Sequence, residues 1–381
     1  MPVPLDEYPI HQVPLSMRYA GTSDRNFYDR CYFNAQDRTG NVFLVTGLGV
    51  YPNLGVIDAY ATARMGERQW AVRCSDAIRD RGLGASVGPY RVEVLEPLRR
   101  VRVVCDTPDR GLAFDLTWDG SFDCIDEPRH VMHQGDRVIL DGCRFAQLGT
   151  WSGTLNVGGT DLSVTPDRWL GSRDRSWGIR PTGEAEPPGR TADEPREGFW
   201  WLYVPLRFDD HALIVIVQED PDGTRTLNAA TRVWADGREE QLGWPEIDIT
   251  YRSGSRMPER AVLHMRTGER KPLTVEVETL TGVALHIGAG YGGDPEWTHG
   301  QWKGRNWIDN AVYDLNNPEI AGRIPFGVID HVARAACDGQ VGWGMFEHAS
   351  LGRHDPTGFK DWLSVAPKSL SPKSLSEAQN A

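Results

Sequence analysis

With 381 residues, the chain is too long for one ordinary domain and long enough for two, each with its own core. Hydrophobic residues at 40% and charged residues at 25% are globular values and exclude a disordered chain. A net charge of −12 excludes nonspecific electrostatic binding to nucleic acid or to an anionic membrane.

The first 19 residues read as an extension. MPVPLDEYPIHQ has neither a basic n-region nor an apolar h-region, so no secretory signal is expected. Further on, no run approaches 18 consecutive apolar residues, which argues against a membrane-spanning helix. The six cysteines lie apart, without any C-x-x-C pair. That suits reduced thiols in a cytoplasmic protein better than a disulfide framework or a zinc site.

A first β unit is expected over residues 20–180. The aromatic cluster FYDRCYF, around Phe27, leads through a turn into an apolar strand at 42–46 and a Pro-Asn loop. VRVVC–DTPDRG–LAFDLTW follows, with Leu112, Phe114, Leu116 and Trp118 on one face of an alternating strand. Residues 154–157 and 161–164 flank Gly158-Gly159, whose tolerance of positive φ suits a tight hairpin. Residues 181–197 (PTGEAEPPGRTADEPRE) have no strand character and read as a crossover or long surface loop.

A second unit, residues 181–365 with the crossover included, repeats that plan. FWWLYVPLRF leads into Asp209-Asp210 and the apolar run HALIVIV; AVLHM–RTGERKP–LTVEVET then matches the later segments of the first unit in the same order. Helical periodicity is nearly absent. The fold class is therefore all-β, with a duplicated antiparallel unit. At the end, PKSLS occurs twice, and residues 366–381 read as a disordered tail.

Fourteen tryptophans are unusual. Trp offers a broad apolar face and one N–H donor, which suits either a pocket for a hydrophobic ligand or the filling of a large barrel interior. Three segments concentrate reactive groups. In GSRDRSWGIR, Asp174 sits among Arg173, Arg175 and Arg180 beside Trp177. Guanidinium groups lower a carboxyl pKa and burial raises it, so both an acid–base role and an Arg–Asp–Arg architectural network stay open. In GAGYGGDPEWTHGQWKGRNW, Tyr291, Trp297, His299, Trp302 and Trp307 gather among glycines; they form either an aromatic ligand wall or a loop over a barrel mouth. The third comprises Asp330-His331, Glu347-His348 and Arg353-His354. Adjacent strand residues face opposite ways, so one member of each pair is free to face a pocket and neither pair is itself a dyad.

Several standard chemistries lack their motifs. There is no G-x-S-x-G elbow, no phosphate-binding Walker loop, and no G-x-G-x-x-G opening a helix. His130 and His133 have no evident third ligand. No metal and no cofactor is expected.

The runs RDRSWGIR, CRFAQLGTWSGTLNVGG and GRIPFGVIDHVARAACDGQVGWGMFEHASLGRH together resemble the carotenoid 1,2-hydratase-like (hydroxyneurosporene synthase-like) superfamily, and most closely a bacterial branch with R-D-x-S-W-G-x-R. The likeness runs from about Asp24 to Phe359. It implies two tandem lipocalin-like β-barrels around an apolar site, with catalysis by acids and aromatics and no redox cofactor or metal. Asp174 matches the family's proton donor, Trp177 its neighbour, and Trp151 an upstream Trp. Where the hydratases tend to carry Tyr two positions before the acid, this chain has Ser172, a departure that bears on hydratase chemistry and not on fold.

The reaction so implied is acid-catalysed addition of water to, or its removal from, a C=C bond of an isoprenoid-like substrate. Catalytic roles fall to Asp174, Trp177 and Trp151; Tyr291, Trp297, His299, Trp302, Trp118, His331 and Glu347 would bind substrate. A carrier of a hydrophobic small molecule, and a cyclase or isomerase of the same fold, are the competing readings. The expected partner is an apolar small molecule; pairing into a homodimer is left open.

Overall fold

The computed structural model describes residues 2–368, apart from 188 and 194. Of the expected tail, residues 369–381 lie outside the described residues. The chain forms two curled antiparallel sheets, so the all-β, tandem lipocalin-like expectation holds. Among the described residues one short α-helix occurs, Pro318–Arg323, capped by the Asn317 side chain on the Glu319 N–H. No helix there is long and apolar enough to cross a membrane.

The two sheets share one strand order. In the first, Val56–Met65, Val42–Tyr51 and Phe27–Gln36 are followed by Leu170–Ile179, Arg137–Val157, Leu112–Gly120, Arg100–Cys105 and Tyr90–Glu96. In the second, Arg225–Trp234, His211–Glu219 and Gly198–Arg207 are followed by Gln340–Gly352, Ile329–Cys337, Pro272–Ala284, Pro258–Arg266 and Glu246–Tyr251. Each half therefore zips its opening strand against its closing strand: Phe27–Gln36 on Leu170–Ile179, and Gly198–Arg207 on Gln340–Gly352. The segments that look alike in sequence occupy equivalent strands. One strand from late in the chain, Trp307–Asp314, returns to the first sheet and pairs with Arg68–Ala77.

Alternation dictates which faces are buried. Leu112, Phe114, Leu116 and Trp118 all point into the first sheet's interior, while their neighbours are partly open. The run at His211–Glu219 is buried on both faces: Leu213, Val215 and Val217 line the second sheet's interior, whereas Ala212, Ile214 and Ile216 face the seam between sheets. The hairpin at Gly158-Gly159 joins Val157 to Thr160 with φ of 59° and 83°, as a primed two-residue turn requires. A Cβ on Gly158 would also stand 2.6 Å from Trp70.

Three large apolar clusters result, beside two small ones. One fills each sheet's concavity, and the third, built from residues of both, glues the sheets back to back. All six cysteines are unpaired thiols.

Candidate active site at the seam between the sheets

The seam carries an unusual density of ionisable groups. Its rows follow from strand register. Tyr32, Asp174 and Ala146 lie opposite one another across three strands of the first sheet; Tyr203, Glu347, Asp330 and Val283 do so across four strands of the second. Tyr32, Ala146, Tyr203 and Val283 all belong to the cluster that joins the sheets. Each half thus contributes a Tyr from its opening strand directly opposite an acid from its closing strand, Tyr32 with Asp174 and Tyr203 with Glu347.

Asp174 makes no hydrogen bond or ion pair among the described residues and keeps part of its surface open. The arginines beside it in sequence do not meet it, because alternation sends them to the other face. Arg173 Nε donates to Gln147 Oε1 at 2.8 Å, and Arg175 Nη2 donates to Asp29 Oδ1 at 2.5 Å. The guanidinium groups that act on Asp174 come from neighbouring strands: Arg144 and Arg30. Burial dominates over both, aided by the charges of Glu127 and Glu347, and pushes Asp174 up to about 7.

Arg144 is engaged elsewhere. It pairs with Glu127, and its guanidinium lies over the rings of Tyr203 (5.0 Å) and Trp201 (5.6 Å). Glu347 accepts from Trp201 Nε1 and is partly open; Asp330, opposite it, is fully buried. Burial and the neighbouring Glu347 charge hold Asp330 far above the usual carboxyl range, and burial lifts Glu347 as well. Tyr32 bridges the sheets by donating to Asp330 Oδ2 at 2.5 Å. His130 hydrogen-bonds Gln218 and stacks on Trp201 at 5.5 Å; burial pushes it down to about 4, so it is neutral.

The glycine-rich loop closes one end. Gly288 and Gly290 adopt φ of 86° and 74°, and their N–H groups donate to Asp294 Oδ2 at 2.9 and 3.2 Å. This fold-back packs Trp297 and His299 against Gly290, where a Cβ would clash with both. His299 stacks on Tyr60 at 5.0 Å, meets Tyr291 edge-on at 4.8 Å, and donates to Ala289 O at 2.7 Å. Below it, Asp58 Oδ2 accepts from Gly300 N at 2.6 Å, and burial pushes Asp58 up to about 7.

Of the residues singled out from sequence, Asp174, Glu347, Tyr291, Trp297 and His299 belong to the seam or to the loop that closes it. Trp151 and Trp118 do not: they pack edge-on at 5.1 Å inside the first sheet's own core, with Trp151 Nε1 bonded to Asn34 O at 2.8 Å. Trp177 is 40% exposed on the face opposite Asp174, beside Phe145, and Trp302 is 45% exposed. His331 is buried facing away from Asp330, its Nδ1 3.2 Å from Phe346 O, and burial lowers it to about 3.

The seam also holds groups that sequence reading passed over: Tyr32, Arg30, Arg144, Glu127 and Tyr203. A signal for two of them was present, since FYDRCYF and FWWLYVPLRF each place a Tyr on the same alternation phase as the apolar seam residues. Among the described residues, no group of three or more His, Cys, Asp or Glu side chains is arranged to hold a metal ion.

One solved structure supports the architecture. A crystal structure of a protein provisionally named AttH, from Nitrosomonas europaea, superposes with a TM-score of 0.54 at 14% identity, over 92% of this chain and 98% of that one. Kievitone hydratase from Nectria haematococca gives a TM-score of 0.48 at 15% identity, over 84% of this chain and 88% of that one. Comparison with curated proteins gives no match. The model of DUF8625, described as a family of unknown function, matches residues 3–360, nearly the whole described chain, and the protein belongs to that family.

Proposed function

We propose that the seam binds an unsaturated, largely apolar molecule and that Asp174 protonates its C=C bond, making the protein a hydro-lyase. The observation that carries this reading is a carboxyl with no hydrogen-bond partner, open to solvent on one side, and pushed up to about 7 by burial. Such a group is protonated near neutral pH yet acidic enough to give its proton away.

In the hydration direction, the Asp174 proton passes to one alkene carbon and leaves a cation on the other. Water adds there through oxygen and loses a proton to the Glu347 carboxylate. Return of one proton from solvent to Asp174, and loss of one from Glu347, restores the site. Both transfers are of protons, so the named side chains suffice without an electron carrier. The resemblance of RDRSWGIR to the hydratase motif points the same way, with Asp174 at the matching position.

The test is incubation of purified protein with a panel of isoprenoids, sterols and unsaturated lipids, followed by native mass spectrometry and product analysis. Wild type is expected to yield a product heavier by one water, and Asp174→Asn to lose at least about 100-fold in rate. Tight binding without turnover, the same in both proteins, would make this a carrier and remove the catalytic role of Asp174.

A further inference from the structure

We propose that Arg30 and Arg180 form a carboxylate-binding subsite at the loop-covered end of the seam, so that the molecule taken there is an unsaturated acid and not a neutral hydrocarbon. The inference rests on the seam being the ligand site and adds the chemistry of the ligand's head.

Both guanidinium groups converge on one ring. Their central carbons lie 5.3 Å (Arg30) and 6.0 Å (Arg180) from the centre of Tyr291. Arg30 projects from the same face of the first sheet as Tyr32, two residues away, and its charge is felt at Asp174. It is only 6% exposed, yet Nη1 has no partner. Nη2 lies 3.5 Å from His299 Nε2, but that nitrogen already turns its proton toward Ala289 O at 2.7 Å and has no lone pair to offer.

Among the described residues, neither Arg30 nor Arg180 forms an ion pair, whereas Arg144 pairs with Glu127 and Arg175 with Asp29. Asp58, the acid nearest to supplying one for Arg30, is committed to Gly300 N and is itself held near neutral protonation.

A buried guanidinium without an anion is costly, and a second one beside it adds repulsion. A planar carboxylate answers both, because each oxygen can accept from one fork. With its carboxylate there, a ligand's apolar body would run along Tyr60, Tyr291 and Trp201 toward Asp174. A neutral alcohol or hydrocarbon would leave the two guanidinium groups unpaired.

The experiment is fluorescence titration of the full chain with cis-parinaric acid and with its methyl ester at pH 8, where the free acid is ionised. Wild type is expected to bind the acid at least tenfold more tightly than the ester. That ratio should collapse below about threefold in Arg180→Gln, and also in Arg30→Met if the buried change still folds as judged by circular dichroism. Equal binding of acid and ester by wild type would overturn the subsite and leave the seam as a site for neutral ligands. A ratio unchanged in Arg180→Gln would overturn it too. Binding of neither probe would overturn the subsite together with the ligand-site reading beneath it.

Discussion

The Tyr32 hydroxyl, carried by the first sheet, donates to Oδ2 of Asp330, carried by the second, at 2.5 Å. It is a buried polar contact within the packing that joins the two sheets, and it holds one oxygen of an acid whose other oxygen has no partner. Tyr32 also stands directly across from Asp174 in the strand register, so one residue adjoins acids from both halves.

Tyr32→Phe removes the donor and leaves a fully buried carboxyl without it. We expect a loss of about 1–3 kcal/mol in urea unfolding. Asp330→Asn keeps an acceptor for Tyr32 and removes the cost of holding a buried acid protonated, so it should be neutral or stabilising at pH 8. Equal destabilisation by both changes would contradict this account.

The pH dependence of stability isolates Asp174. Its folded value of about 7 lies above the ordinary 3.8, so its contribution is full below about pH 4 and is lost as pH rises through 7. Asp174→Asn removes that loss. The variant should match wild type near pH 4 and exceed it above pH 7, with a ceiling of about 4 kcal/mol. Asp58 titrates in the same direction but is present in both proteins, so it cancels in the difference. Urea titrations at pH 4.5, 7 and 8.5 would reveal the divergence, and a constant offset would argue against it.

Glu347→Gln removes a negative charge that helps keep Asp174 protonated. Turnover should fall with the loss of that proton acceptor, and in the activity that remains the alkaline limb of kcat/KM, set by protonated Asp174, should move to lower pH by about half a unit to one unit. The amide still offers an oxygen to Trp201 Nε1, so the fold should survive. A limb that stays in place would separate Glu347 from the acid.

Trp151 gives the opposite contrast. It fills the first sheet's interior and donates to Asn34 O. Trp151→Phe should cost about 2–4 kcal/mol through a void and a lost bond, while turnover below the melting transition stays within twofold. A large fall in kcat at unchanged stability would restore Trp151 to the site.

Period-two alternation in the strand Leu112–Gly120 and the double glycine at 158–159 made the β architecture legible, because backbone pleat and turn sterics act over a few residues. The likeness of FYDRCYF to FWWLYVPLRF similarly anticipated two sheets of one strand order. The same local rule implied that Asp330 and His331 face opposite ways, as they do. What it left open was which of the two faces a second sheet, since both faces are buried.

Asp174 shows the division most plainly. In the chain its neighbours are Arg173 and Arg175, and proximity in sequence suggests a salt-bridged carboxylate. The pleat turns both arginines to the far side, and segments about thirty to fifty residues before and well over a hundred residues away bring Arg144, Glu127, Arg30 and Glu347 to it instead. Patterning along the chain dictates the strands, their turns and their apolar faces, because those depend on neighbours two to four residues apart. The protonation of a buried acid depends on every charge within a few ångströms and on how much water remains, and those are set when two sheets close on one another.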